Sequence, residues 1–330
     1  MKKIPIIFDV DTGLDDAMAL FLACASDRLD ILGVTATYGN NTLDKTLRNT
    51  LNVLKMAGRG DIPVAAGTTK PLSKDLGEKE KMHNGKFVHG DDALGGYQFP
   101  FEDTQAALVR EPAWDFMYQT IMNSPEPVVL CSLGPLTTVA VLLNKYPDVR
   151  ANIKCIVNMG GYIRGGIISP MASVNLFFDP VASKRVITSG VPFYMIPGDT
   201  TDRAIISLEE LKTFDSCTSE VGKAVRYFMD VYYKTCAALG EEVVDGIHGQ
   251  SLHDPCSVAF ITHPEFFTYG KYFCDIEDVS DVCMAMTVVD YENTLKKPQE
   301  ERNVYFVDTV NREAFVNYFV GTIKSYENKA

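Results

Sequence analysis

The stretch FDVDTGLDD (8–16) sets Asp9, Asp11, Asp15 and Asp16 between an apolar run and the start of a helical pattern. Like charges at this spacing repel. Capping a helix and matching the positive end of its dipole accounts for one aspartate or two. It does not account for Asp9 and Asp11, which fall at the strand's end. Four carboxylates gathered at one place need a cation or must shift their pKa values. Ligands that offer only oxygen suit Ca²⁺ or Mg²⁺. The spacing therefore predicts a metal or polar-substrate site where the first strand ends.

Other residues could share that chemistry. Asn40 follows Gly39 at a second strand end, where a turn role is also natural. His89 opens the glycine-rich HGDDALGG (89–96). His253-Asp254-Pro255 reads as a helix start, with Asp254 as cap and Pro255 in the first turn. Helix starts present carboxylates well, so this is compatible with metal binding. His83 and His263 have no companion signal and read as surface residues. The Tyr and Phe residues of 227–233 sit at helical spacing and read as core.

The elements that must position these groups alternate along the chain. IPIIFDV (4–10), ILGVTAT (31–37), IPVAAG (62–67), PVVLCSL (127–133), IKCIVNMG (153–160) and VPFYMIPG (191–198) read as strands. Helical patterns cover 15–26, 42–58, 221–239 and 254–262, with others starting near 136 and 179. Strand-like runs near 282–289 and 303–309 precede a closing helix near 311–326. Strands that are apolar along their length, separated by helices, argue for a doubly wound, mostly parallel sheet covered on both faces. Such α/β folds place ligands outside the carboxyl ends of the strands. No linker divides the chain, so one domain over 1–330 is expected.

Composition narrows the function. Among 330 residues the net charge is -12, which disfavours nucleic-acid binding. Apolar runs are only strand-length, so no membrane span is expected. The first apolar run meets Asp9 too soon for a signal peptide. Eight scattered cysteines with no CxxC pair read as reduced thiols of a cytoplasmic protein.

Two families place D-x-D after an apolar strand. The haloacid-dehalogenase-like phosphatases would use Asp9 as nucleophile with Mg²⁺, but their motif wants Thr or Val where this chain has Gly13. GDTTD (198–202) is faintly similar to their acidic motif, with short spacing. The second resemblance is broader. DVDTGLDDAMAL resembles the signature of the inosine–uridine-preferring nucleoside hydrolases. TYGNNTL (37–43), HGDDALGG (89–96), LGPLTTVA (133–140), MGG (159–161), NLFFDPVAS (175–183), SGVPFYM (189–195) and HDPCSVAF (253–260) resemble that family's further blocks, in its order.

This resemblance implies a homodimeric or homotetrameric enzyme acting on a small-molecule nucleoside. It also implies Ca²⁺ at the pocket floor, against the ribose 2′- and 3′-hydroxyls. The matching ligands are Asp11, Asp16, Asp254 and the Leu133 carbonyl. Asp11 would also be the base that activates water. Asp15 and Asn40 would bond the ribose and the water, Asn175 the sugar, and His253 would protonate the leaving base. His89 would line the pocket, and Asp9 would orient its neighbours. The chemistry is coherent: glycosidic cleavage develops oxocarbenium-like positive charge, which carboxylates stabilise, while histidine can supply a proton near neutral pH.

Three departures stand out. Ile167 and Ser173 occupy places where the family carries the Asn and Glu that bond the 5′-hydroxyl. Thr138 stands where the L-T-N block ends in Asn. GEEVVDGIHGQS (240–251) is long and adds His248; it reads equally as a mobile lid or a surface loop. The departures leave a ribosyl-binding protein with poor turnover as a non-enzyme alternative.

Overall fold

Strand β1 (Ile4–Val10) is buried from Ile6 onward. Ile6, Phe8 and Val10 join the core on one face, and Ile7 joins the core on the other. A strand apolar on both faces belongs inside a sheet sandwiched by helices. The computed structural model, which describes residues 2–72, 86–240 and 243–328, places it there. His83 lies outside the described residues.

From β1 the chain passes through α1 (Leu14–Ala25) to β2 (Leu29–Ala36), then through α2 (Leu43–Met56) to β3 (Val64–Ala66). It then crosses to the other side of β1. There α3 (Ala113–Asn123), β4 (Val128–Ser132), α4 (Thr137–Lys145), β5 (Ile153–Met159), α5 (Val174–Phe178), α6 (Pro180–Ile187) and β6 (Phe193–Ile196) follow. The last third holds α7 (Gly198–Thr201), β7 (Ile205–Ser207), α8 (Glu220–Leu239), β8 (Val243–Val244), β9 (Ile247–Ser251) and α9 (His253–Thr262). It ends with β10 (Phe267–Tyr272), β11 (Cys274–Ile276), β12 (Thr287–Val289), β13 (Val304–Val310) and α10 (Arg312–Lys324).

The main sheet has the order β10-β13-β6-β5-β4-β1-β2-β3. All neighbours pair in parallel except β10 with β13. Strand order reverses at β1, which lies between β2 and β4. That reversal opens a crevice at the strands' carboxyl ends, the usual ligand position in such sheets. Helix α1 leaves β1 at this point. It is buried from Leu14 to Ala23 and packs against α2, α8, α9 and α10, which is why its sequence is apolar nearly all round.

The sequence misses two features. Strand β10 is half-exposed at the sheet edge, so it lacks a continuous apolar run. Residues 243–251 are not a plain surface loop: β9 pairs antiparallel with β7 and β8 in a small second sheet. A Cβ at Gly249 would fall 2.0 Å from the Ile206 carbonyl oxygen, so close pairing there requires glycine. His248 is exposed on this sheet. His263 is half-buried, stacked on Phe266 and packed against Tyr318, rather than a surface residue.

Candidate active site

The aspartates converge where β1 becomes α1. Gly13 is the N-cap, so no side chain of the cap residue closes the helix. Asp16 does so from the first turn: its Oδ2 accepts the Gly13 N–H at 2.9 Å and its Oδ1 the Asp11 N–H at 3.2 Å. From the loop after β2, the Asn40 N–H donates to Asp11 Oδ2 at 2.6 Å and Asn40 Nδ2 to Asp16 Oδ2 at 3.0 Å. Asp9 lies one pleat behind, with Oδ1 accepting from Thr35 Oγ1 at 2.6 Å. Among the described residues, Asp15, Asp16 and Asp254 bring carboxylate oxygens within 4.8 Å of one another. Asp254 arrives from the first turn of α9.

All five carboxyl groups are buried, and burial raises the pKa of each. Burial lifts Asp9 to about 7, against the bond from Thr35. It lifts Asp16 to about 6, with the charge of Asp15 adding to the effect. Burial, and then neighbouring carboxylates, also raise Asp11 and Asp254 well above the ordinary carboxylate range. Asp9 Oδ2, Asp11 Oδ1 and Asp15 Oδ1 are buried and have no hydrogen-bond partner among the described residues. Buried oxygens of this kind are costly unless something positive meets them.

Glycines make the room. A Cβ at Gly39 would fall 2.0 Å from Asp11 Oδ2, and one at Gly134 would fall 2.6 Å from Asp11 Oδ1. A Cβ at Gly13 would fall 2.7 Å from both Asn40 Nδ2 and His89 Nδ1.

The remaining walls come from the other strand ends. The Leu133 N–H donates to the Asp9 carbonyl at 2.8 Å, tying the turn after β4 to β1. Asn175 Nδ2 donates to the carbonyls of Leu133 and of Met159. His89 is buried and its Nδ1 accepts the Leu14 N–H at 3.1 Å. Burial lowers its pKa to about 4, so the ring is neutral at pH 7. The turn that follows it is held by Asn41 and Asn49, whose amides donate to the carbonyls of Gly90, Asp91 and Asp92. His253 opens α9, and its Nδ1 lies 2.8 Å from Thr201 Oγ1. Burial lowers its pKa, with the charge of Asp15 acting the other way.

The chain matches the family model described as inosine-uridine preferring nucleoside hydrolase over residues 6–317. It belongs to that family. It is 36% identical over 324 residues to the pyrimidine-specific ribonucleoside hydrolase RihA of Citrobacter koseri, covering 98% of this chain and 99% of that one. The RihA of Escherichia coli matches at the same identity and coverage. Among solved structures, the purine-preferring ribonucleoside hydrolase from Gardnerella vaginalis superposes with a TM-score of 0.87. The two are 26% identical, over 99% of this chain and 100% of that one. The plant nucleoside hydrolase PpNRh1 gives a TM-score of 0.86 at 25% identity, over 97% of this chain and 98% of that one.

This nucleoside hydrolase, an enzyme of ribonucleoside hydrolysis, is therefore not a dehalogenase-like phosphatase. The geometry agrees: Asp9 is buried behind the cluster, and in GDTTD Asp199 accepts the N–H groups of Ile163 and Arg164 while Thr201 meets His253. The family implies a metal cofactor, and the residues fit one. The donors are all oxygen, three carboxylates converge, and buried oxygens beside them lack partners among the described residues.

The fold gathers Asp11, Asp15, Asp16, Asn40 and Asp254 in one cluster, sets His89 and His253 within electrostatic reach of Asp16 and Asp15, and ties Asn175 to Leu133 and Leu133 to the end of β1. Asp15, not Asp11, completes the tightest trio with Asp16 and Asp254. Ser173 is buried and its Oγ accepts the Gly161 N–H at 2.8 Å, while Ile167 is 47% exposed. Thr138 is buried in α4 beside Thr68, with their hydroxyls 3.3 Å apart. Three residues near His253 escape sequence reading: Thr201, Asp202 and Tyr232. The Tyr232 ring lies 5.8 Å from that of His89 and 6.3 Å from that of His253. Its helical spacing looks like core because the same face of α8 also buries Phe228.

Proposed function

We propose that this enzyme hydrolyses the N-glycosidic bond of ribonucleosides to free base and ribose with Ca²⁺ as its metal. The ligands in this reading are Asp11, Asp16, Asp254 and the Leu133 carbonyl, with Asp15 beside them. The observation that carries it is the convergence of Asp15, Asp16 and Asp254 within 4.8 Å, all buried, beside oxygens of Asp11 and Asp15 that have no hydrogen-bond partner among the described residues. When bound, the cation neutralises these carboxylates, favours ionisation of water and orients sugar hydroxyls.

The side chains supply the rest. Asp11 has Oδ2 fixed by the Asn40 N–H, which leaves Oδ1 to take a proton from the attacking water. Asp15 and Asn40 bond the ribose and the water. Asn175 commits its amide nitrogen to two backbone carbonyls, and its oxygen is the atom assigned to the sugar in this reading. The carboxylates stabilise the positive charge that grows on the ring. His253 protonates the departing base, with His89 lining the same wall. The eight cysteines are thiols and not disulfides, in keeping with a cytoplasmic enzyme of nucleoside salvage. No helix of the described residues is long and apolar enough to cross a membrane. A homodimer or homotetramer is the proposed assembly.

The test is a panel of ribonucleosides and deoxyribonucleosides, assayed for free base and free sugar with Ca²⁺ and with a chelator. Pyrimidine ribonucleosides come first, because the relatives at 36% identity are named pyrimidine-specific. Expected are cleavage of ribonucleosides, loss with chelator and recovery with Ca²⁺. Full activity in chelator, or recovery with Mg²⁺ and not Ca²⁺, overturns the assignment of the metal.

A further inference from the structure

We infer that Thr201 is a positioning residue for His253, with Asp202 completing its setting; this rests on His253 being the leaving-group acid. Thr201 is fully buried, and its hydroxyl lies 2.8 Å from His253 Nδ1. Asp202 Oδ1 lies 4.0 Å from the same nitrogen. Both contacts fall on one edge of the imidazole. Nδ1 is thereby engaged by the protein, and Nε2 is the nitrogen left for the substrate. A hydroxyl can donate or accept, so it holds the ring whether or not Nδ1 carries a proton. Where a histidine's second nitrogen is bonded, tautomer and ring orientation are set by that partner.

The surroundings fix Thr201 as firmly as it fixes the ring. Tyr162 donates its hydroxyl to Asp202 Oδ1 at 3.1 Å, and its ring fills the space where a Cβ on Gly198 would sit. The neighbouring Thr200 hydroxyl donates to the Val307 carbonyl at 2.7 Å, tying α7 to β13. From the other side, Ser251 Oγ donates to the Asp202 carbonyl at 2.9 Å and the Leu252 N–H to the Ala204 carbonyl at 3.1 Å. Ile205 pairs with Ser251 where β7 meets β9. The small second sheet therefore joins the segment carrying Thr201 to the segment carrying His253, immediately before α9 begins. Its role is to hold a hydroxyl and an imidazole in register.

A residue that acts through the acid matters only when the leaving group needs a proton. The experiment compares kcat and KM of Thr201→Val, Thr201→Ser, Asp202→Asn and His253→Ala on uridine, on inosine and on 4-nitrophenyl riboside, whose leaving group departs unprotonated. Removing a well-placed general acid costs roughly 10²- to 10⁴-fold, and misplacing it costs part of that. Thr201→Val should lower kcat on the nucleosides by about tenfold to a hundredfold, with KM little changed. On the nitrophenyl riboside it should stay within about threefold, which also reports that the variant is folded. Thr201→Ser keeps the hydroxyl and should restore nucleoside cleavage; Asp202→Asn should fall between. Equal losses on all substrates in Thr201→Val, or no loss on nucleosides while His253→Ala is selective, overturn the positioning role alone. Equal losses in His253→Ala overturn the assignment of the acid and this inference with it.

Discussion

The backbone N–H of Asn40 donates to Asp11 Oδ2 at 2.6 Å, so the loop after β2 sets the carboxylate that follows β1. The bond orients Asp11 through the main chain, and the Asn40 amide separately orients Asp16. The pocket floor is thus built by the segments that follow two neighbouring parallel strands, acting on one another. Asp11 keeps one oxygen without a partner among the described residues, as a base needs.

If Asp11 is the base, as proposed, Asp11→Asn should lower kcat by roughly 10²- to 10⁴-fold. The loss should be similar on uridine and on 4-nitrophenyl riboside, since both need activated water. Steady-state kinetics on the two substrates decide it. A loss confined to uridine would reassign Asp11 to the leaving group.

Gly39 adopts φ +155°, and a Cβ there would meet Asp11 Oδ2 at 2.0 Å. Gly39→Ala should therefore cost about 1–3 kcal/mol through backbone strain and overpacking. It should also impair turnover, because the displaced group is Asp11. Denaturant unfolding and kcat are measured on the same preparation; unchanged values in both would mean that the loop moves freely.

In the proposed site, Ile167 and Ser173 stand where the family resemblance implies a polar pair for the 5′-hydroxyl. Ser173 spends its hydroxyl on the Gly161 N–H, and Ile167 has none. A site without a dedicated partner does not reject an analogue lacking the matching hydroxyl. 5′-Deoxy nucleosides should be cleaved within about tenfold of their parents in kcat/KM, or about 1.4 kcal/mol. Losing the 2′- or 3′-hydroxyl should cost far more. A 5′ penalty above about a hundredfold would reveal another group that bonds the 5′-hydroxyl.

Glu327, just beyond α10, accepts from the hydroxyls and N–H groups of Ser219 and Thr218 at the start of α8. These bonds, the Ser219 hydroxyl foremost, lower its pKa from 4.5 to about 2. A depressed carboxyl stabilises the fold above its unfolded pKa. That contribution is present above about pH 4.5 and is lost as pH falls toward 2. Glu327→Gln should therefore lower Tm at pH 7 and lower it less at pH 3. A deficit that does not vary across this range would mean that the charge plays no part.

Much of the fold was legible because its causes are local. β1, β2, β4, β5 and β6 are mostly apolar, and α1 is apolar nearly all round, since each is largely buried. The cluster of Asp9, Asp11, Asp15 and Asp16 was legible because a chain does not concentrate like charges without a reason. Edge strand β10 and the short β7 and β9 were not, since half-exposed or brief strands carry little periodicity. Nor could spacing alone say that Asp15 joins Asp16 and Asp254, or that Thr201 meets His253 across 52 residues. Those pairings depend on how α1, α7 and α9 are oriented at the ends of the sheet. The sequence by itself determined which chemistry is present. Tertiary packing decided which oxygen and which nitrogen face each other, because hydrogen bonds depend on distance and direction.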